Sequence, residues 1–339
     1  MSVDFDPEGT FTNDSSVFGM PKDINSKLEL LPVAWEPTTS FKKGTVKGPQ
    51  AIFEATKQMD LYHPYFKKAY EVGISWSDDF LNLSLKLNQE TSPKAEKIIA
   101  SIESGNALSS SALDFVNEKS AELNNLIYKK TLESKKVVGL VGGDHSCPFG
   151  LIKALSEKYK GDFSIVHIDA HFDFRDEYQG FTHSHASIMH NVKTKLKNPP
   201  SIYQLGIRDF CESEYKFALD NSTFLLDQEL HGKLLKGKNF HDCLDELFKG
   251  LNKNIYISFD IDGLSPEFCP NTGTPVPGGL TYNQATYLIQ YLHQKGHSLI
   301  GFDLVEVSPN EKSSLGEGLD EVIASRLLYE LSCFALSSN

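Results

Sequence analysis

The sequence predicts an α/β protein in which a parallel sheet is covered by helices on both faces. Two observations carry this expectation. Short β-branched apolar runs recur along the chain and alternate with amphipathic helical stretches, the pattern of a sheet buried on both sides. Polar clusters follow several of these runs directly, and open α/β sheets build their sites at the carboxyl ends of the strands.

Residues 1–25 scatter Gly, Pro, Asp and Ser with little periodicity, so they read as an irregular, partly ordered N-terminal arm. LELLPVAW (28–35) is the first expected strand. The turn-rich EPTTSFKKGTVKG leads into a helix opened by Pro49, with Ala51, Ile52 and Ala55 along one face. Polarity and periodicity predict helix over 91–134, with KAEKIIASIESG ending on Gly105 and SALDFVNEKSAELNNLIYKKTLE following a Ser-rich break. Further strands are expected at 137–141, 163–169, 202–207, 223–227, 254–262 and 298–307, and helices at 149–159, 240–250, 282–295 and 317–334. No repeat or low-complexity linker divides the chain, so 26–339 reads as one domain.

Composition narrows the function. Of 339 residues, 33 are Lys or Arg and 45 are Asp or Glu, a formal charge of −12. That surplus excludes nucleic acid and anionic membrane as expected partners, since both need clustered cations. The acidic start MSVDFDPEGTF has no basic or apolar leader region, and no apolar run approaches the roughly 20 residues of a membrane span. The five cysteines, Cys147, Cys211, Cys243, Cys269 and Cys333, are odd in number and never form CxxC. They read as free thiols in a reducing cytoplasm rather than a disulfide framework or thiolate zinc site.

Three clusters carry chemistry. GGDHS (142–146) follows VVGLV, Asp169, His171 and Asp173 lie in DAHFD at the end of FSIVHID, and Asp260 and Asp262 end IYISFDID. Taken singly, each has a structural explanation as a cap, a tight turn or a core histidine. At successive strand ends they converge with His145, and four carboxylates packed together repel unless a cation compensates them. Oxygen-rich donors with two imidazoles and no thiolate suit a hard ion such as Mn²⁺, and a pair of such ions activates water as a nucleophile. GGDHS lacks the Gly-Lys-Ser/Thr ending and the third glycine of nucleotide-binding loops, and there is no GxSxG elbow.

GGDHS, DAHFD and SFDIDGLSP, followed by TPVPGGLTY (274–282) and DLVEVSP (303–309), resemble in order and spacing the ureohydrolase superfamily of arginases, agmatinases, formimidoylglutamases and related guanidino hydrolases. PVAWEPTTSFKKGTVKGPQAI is similar to the entry strand and loop of the agmatinase branch, and the region most peculiar to this chain is a helical insertion near 75–130. The resemblance implies a single-domain, arginase-like three-layer αβα fold with a central, mainly parallel sheet. It also implies a binuclear manganese centre, with nickel as the alternative. By position, His145, Asp169, Asp173 and Asp260 hold one ion, and Asp169, His171, Asp260 and Asp262 the other. Glu306 then anchors the guanidinium, because a planar cation is oriented by a bidentate carboxylate.

A proton-carrying histidine is expected in GFTHSHASIMHN. The family often has His-Gly there with a proline two residues on, whereas His185 is followed by Ala186 and Ser187, with Ile188 at the proline position. The Ser-His-Ala-Ser pattern of some agmatinase-like members favours His185 over His183 and His190, with Asp262 as its partner in proton transfer. His167 reads as a core or supporting residue on the strand face opposite the neighbours of Asp169.

FRDEYQGFTH does not reproduce the Asn/Ser pattern with which arginases hold an amino acid's α-groups, so the resemblance implies hydrolysis of agmatine to putrescine and urea, a step of polyamine metabolism. Guanidine, guanidinobutyrate, arginine or a formimino compound such as formimidoylglutamate are the alternatives. A non-catalytic homologue and a single-zinc deacetylase are the rivals from other classes, and the filled ligand positions and paired aspartates argue against both. The family further implies a homotrimer or homohexamer.

Overall fold

The apolar runs enter one eight-stranded sheet in which every pairing is parallel. In the computed structural model, which describes residues 5–8, 16–22, 25–106 and 110–337, the strands are β1 (Leu28–Val33), β2 (Ile74–Trp76), β3 (Val137–Gly142), β4 (Ser164–Ile168), β5 (Ser201–Leu205), β6 (Thr223–Leu225), β7 (Asn254–Asp260) and β8 (Ser298–Val305). Their order across the sheet is β2-β1-β3-β8-β7-β4-β5-β6. Pro32 is tolerated inside β1 because β2 pairs only with Leu28–Leu30, so the residue without an N–H has a single strand neighbour.

The helices are α1 (Gly48–Ala55), α2 (Asp78–Glu103), α3 (Ser110–Glu133), α4 (Phe149–Tyr159), α5 (Ile188–Lys195), α6 (Glu212–Asn221), α7 (Asp227–Leu235), α8 (Phe240–Leu247), α9 (Tyr282–Gln294) and α10 (Leu319–Ser337). Strand alternation sends side chains into two separate cores. Leu30, Ile168, Ile257 and Phe259 pack with α1, α8, α9 and α10 on one face, while Leu31, Leu140, Ile165 and Tyr256 pack with α2 to α6 on the other. Each fully buried aliphatic or aromatic side chain contributes about 1.5–3 kcal/mol, which fixes the register of every central strand.

Several boundaries differ from the sequence-based expectation. Helix α2 begins at Asp78, well before 91. LNLSLKLN alternates with a period of two and so hides the helical stripe of Phe80, Ser84, Leu87, Thr91 and Ala95, which is the buried face. The 223–227 strand is cut to Thr223–Leu225 because Asp227 opens α7. Strand β7 ends at Asp260, where a 3-10 turn over Ile261–Gly263 takes over. Short strand β2 and helices α5, α6 and α7 are additions to the expected elements.

Part of the N-terminal arm is packed. Val17, Phe18 and Met20 are fully buried, Phe18 N donates to Thr56 Oγ1 at 3.0 Å, and its ring lies 5.1 Å from that of Tyr329. Residues 1–4, 9–15 and 23–24 of the arm and 107–109 of the Ser-rich break lie outside the described residues.

Candidate metal centre and active-site cavity

Strands β3, β8, β7 and β4 are consecutive in the sheet, so four neighbouring carboxyl ends deliver the polar clusters to one place. At the end of β3, Gly143 N donates to Val33 O and Asp144 N to Trp35 O, both at 2.8 Å. This pins the GGDHS turn against the chain leaving β1. Only glycine fits at 143, since a Cβ there would lie 1.8 Å from the Trp35 carbonyl oxygen. The turn aims the His145 ring inward.

His145 Nδ1 lies 3.1 Å from Asp169 Oδ2, 3.0 Å from Asp173 Oδ2 and 3.3 Å from Asp260 Oδ2. On the other side of Asp169, His171 Nδ1 is 3.4 Å from Asp169 Oδ1 and 3.2 Å from Asp262 Oδ2. The backbone helps hold these carboxylates in place. His171 N donates to Asp169 Oδ1 at 2.6 Å, Ala170 N to Asp262 Oδ1 at 3.0 Å, and Asp262 N to Asp260 Oδ1 at 2.8 Å. Asp173 adopts a left-handed conformation (φ 57), and its carbonyl accepts from Met189 N and His190 N at the start of α5. The six residues proposed as ligands therefore meet, and so does Glu306, whose Oε1 accepts from His145 N at 2.8 Å.

The donor set fits divalent cations. His145 Nδ1 and Asp173 Oδ2 are buried without a hydrogen-bond partner, although each faces the other, which is the signature of atoms shaped to bind a shared ion. Burial pushes the Asp260 carboxyl well up, and Asp262 and Asp169 push it further. Asp173 is pushed up to about 7 by burial and by Asp169. Burial acts upward on Asp169 too, but His167, His145 and His171 surround it and hold it well below the carboxylate range. For His145, burial opposes the charged form, yet Asp169, Asp173 and Asp260 together raise it well above the usual imidazole value.

Without metal the cluster therefore stores protons near neutrality, and a metal must displace them. Metal binding is expected to release protons, with apparent affinity falling by about one decade per pH unit for each proton displaced as pH drops through 7. Calorimetry in buffers of different ionisation enthalpy measures that release.

Beneath the cluster runs a polar row that sequence reasoning missed. Asp303, Ser258, His167 and Gln204 are direct partners across β8, β7, β4 and β5. Tyr256 OH donates to Asp303 Oδ2 at 2.6 Å, Ser258 Oγ donates to Asp303 Oδ1 at 3.1 Å, and Ser258 Oγ lies 2.9 Å from His145 Nε2. A charged residue inside the otherwise apolar run SLIGFDLV was the available signal.

His167 shares a strand side with Asp169, because residues two apart point the same way. Its Nε2 lies 2.9 Å from Asp169 Oδ2 and its Nδ1 lies 2.9 Å from Gln204 Nε2. Both nitrogens are occupied, so His167 orients Asp169 and has no lone pair free for an ion, although it sits within the same cluster of donor atoms. Asp303→Asn is expected to weaken metal binding by about 10–100-fold, the usual cost of disturbing the partner that orients a ligand, as measured by competition with a chelator.

The cluster forms the floor of a cavity of about 250 Å³ lined by His145, His171, Asp173, His185, Asp260, Thr274 and Glu306. Of the three loop histidines, His185 is the one in this lining. His183 packs its ring 5.2 Å from Phe149, and His190 sits on α5 with its ring 5.0 Å from Phe217. Burial, reinforced by His171, lowers His185 to about 4, so its imidazole is neutral. Glu306 is left-handed (φ 61) and is held by Glu306 N to Gly143 O at 2.9 Å and Thr272 Oγ1 to Glu306 O at 2.9 Å. Toward the mouth, Arg175 Nε lies 3.5 Å from Glu214 Oε2, while the Asp209 side chain is 68% exposed.

Residues 26–333 match the Arginase family. The chain is 30% identical over 311 residues to the N(1)-aminopropylagmatine ureohydrolase of Thermus thermophilus, covering 90% of this chain and 88% of that protein. It is 29% identical over 294 residues to the agmatinase of Halalkalibacterium halodurans, covering 86% and 83%. The solved structure of proclavaminate amidino hydrolase from Streptomyces clavuligerus shares the fold with a TM-score of 0.69 at 18% identity, over 98% of this chain and 100% of that one. The family match and the fold likeness both extend along nearly the whole chain, which belongs to the arginase family of metal-dependent hydrolases.

Proposed function

We propose that this protein hydrolyses a guanidino C–N bond to release urea, with agmatine as substrate and putrescine as the other product. The observation that carries the reading is that Glu306 and the His/Asp cluster line one cavity, so a planar cation bound to the carboxylate lies over the metal-binding groups. His145, Asp169, Asp173 and Asp260 would hold one ion, and Asp169, His171, Asp260 and Asp262 the second, with Asp169 and Asp260 shared. When bound, the ions supply a water activated at neutral pH and offset the buried carboxylates. Oxygen-rich donors with two imidazoles favour Mn²⁺, with Ni²⁺ as the alternative.

The remaining work falls to the chain. Glu306, with Oε1 steadied by His145 N, orients the guanidinium so that its carbon faces the attacking water. Asp262 Oδ2, which accepts from Thr274 Oγ1 at 3.1 Å, takes the proton lost by that water. The His185 imidazole, neutral at rest, accepts a proton released in the reaction and then passes that proton to the departing amine. Asp209 at the mouth suits the cationic far end of agmatine. The likeness to the N(1)-aminopropylagmatine ureohydrolase of Thermus supports a second reading, N(1)-aminopropylagmatine, whose longer tail would leave the cavity past the same residue.

A urea-release screen over agmatine, N(1)-aminopropylagmatine, arginine, guanidinobutyrate and guanidine, after Mn²⁺ or Ni²⁺ loading and with Asp173→Ala as control, tests the reading. No urea from any of them overturns it, and one metal per chain or none overturns the binuclear centre. The five free cysteines suit a reducing cytoplasm. No helix among the described residues is long and apolar enough to cross a membrane. Assembly as a homotrimer or homohexamer follows from the family resemblance and is read by sedimentation.

A further inference from the structure

Thr38, in the EPTTS loop after β1, is fully buried, and its hydroxyl is shared among three polar groups. Oγ1 donates to Asp144 Oδ2 at 2.8 Å, accepts from the His185 backbone N–H at 3.1 Å, and lies 3.4 Å from His185 Nδ1. Thr38 N donates to the same carboxylate oxygen at 3.2 Å. The other oxygen of Asp144 accepts from Ser146 N at 3.1 Å and from the Ser146 hydroxyl. Asp144 is itself fully buried. Four donors thus converge on its two oxygens, an arrangement that an ionised carboxylate satisfies completely.

A hydroxyl has one proton and two lone pairs. The Thr38 proton goes to Asp144, because a charge-assisted bond at 2.8 Å outweighs a contact at 3.4 Å. Oγ1 is then an acceptor toward His185 at both the backbone and the ring. The proton between Oγ1 and the ring must come from Nδ1. His185 lines the cavity beside His171 and Glu306, so with Nδ1 turned to Thr38, Nε2 is the nitrogen left for the substrate side, and it carries the lone pair.

We propose that Asp144 and Thr38 form a positioning pair that fixes His185 as its Nδ1–H tautomer and presents Nε2 to the reacting groups as the proton-accepting nitrogen. The pair joins two segments, the EPTTS loop and the GGDHS turn, that lie 106 residues apart in sequence. Neither residue touches the substrate site itself, since neither belongs to the cavity lining. The inference rests on the reading of His185 as the proton carrier.

Thr38→Val removes the hydroxyl at nearly constant shape, and Thr38→Ser keeps it. Thr38→Val is expected to lower kcat by about 10²-fold, the lower range for loss of an aligned acid or base, with little change in KM and with wild-type metal content. Thr38→Ser is expected to restore most of that kcat. In metal-free protein labelled with ¹⁵N-histidine, the long-range ¹H–¹⁵N pattern that disappears in His185→Asn is expected to report Nδ1–H in wild type and Thr38→Ser, and a mixed or Nε2–H form in Thr38→Val.

An Nε2–H pattern in the wild type overturns the proposal, as does a Thr38→Val enzyme with wild-type kcat where His185→Asn is slow. If Thr38→Val does not fold, the wild-type tautomer and the Thr38→Ser rate decide. His185→Asn turning over at the wild-type rate instead removes the proton-carrier reading, which separates the two failures.

Discussion

Asp260→Asn is expected to lower kcat/KM by about 10³-fold, equivalent to about 4 kcal/mol, while leaving the metal-free protein as stable as wild type or more so. The opposite signs follow from the two jobs of this side chain. Oδ1 accepts from Asp262 N and caps the 3-10 turn that follows β7, and an asparagine oxygen does that equally well. Oδ2 faces His145 Nδ1 at 3.3 Å, and the residue is one of the two that would hold both ions.

In the metal-free state that second oxygen is a liability. Burial, Asp262 and Asp169 all push its carboxyl well up, so without metal the site favours a neutral group at this position, and the amide supplies one. The checks are a thermal melt with and without metal, and metal content by mass spectrometry. Asparagine should abolish the metal-induced rise in melting temperature without lowering the metal-free value. A variant that keeps its metals and its rate would remove Asp260 from the centre. One that loses metal-free stability would show the residue to be structural.

How much of this was legible in the sequence depends on what kind of signal each residue leaves. Asp169, His171, Asp173, Asp260 and Asp262 follow apolar runs directly, and a strand long enough to be recognised places whatever follows it at a sheet end. Their meeting with His145 additionally required that β3, β8, β7 and β4 be neighbours, which the sheet order supplies and no single segment states. Helix α2 was half hidden because Leu81, Leu83, Leu85 and Leu87 alternate like a strand, whereas burial of Phe80, Ser84, Leu87 and Thr91 settles the helical face.

The supporting residues were harder. Ser258 and Gln204 are unremarkable within their own strands, and only the pairing Ser258↔Asp303 and His167↔Gln204 across neighbouring strands makes them a row. Thr38 and Asp144 gain their connection to His185 from two loops that fold against each other. Such contacts depend on side-chain direction in three dimensions, so periodicity within one segment does not contain them.

Glu306→Gln separates substrate binding from metal binding. The glutamate is locked by its neighbours: Oε1 accepts from His145 N at 2.8 Å, its N–H bonds Gly143 O, and its carbonyl accepts from Thr272. That framework holds the left-handed backbone, a conformation that glutamine adopts at the same cost. Burial and the nearby Asp144 raise the Glu306 carboxyl well above its usual range, so in the empty cavity the charge is unfavourable and the amide folds at least as well. A bound guanidinium reverses this balance, because two parallel charge-assisted bonds need both carboxylate oxygens to accept. Glutamine offers one acceptor and turns an N–H donor toward a cation that has only donors. Loss of one partner of a buried charge pair predicts a fall in kcat/KM of about 10²–10³-fold, or about 3–4 kcal/mol. It should come with a raised KM and with metal content and melting temperature unchanged. Retained metals together with lost turnover would distinguish this variant from Asp260→Asn. A Glu306→Gln enzyme with wild-type KM and kcat would place the guanidinium elsewhere in the cavity.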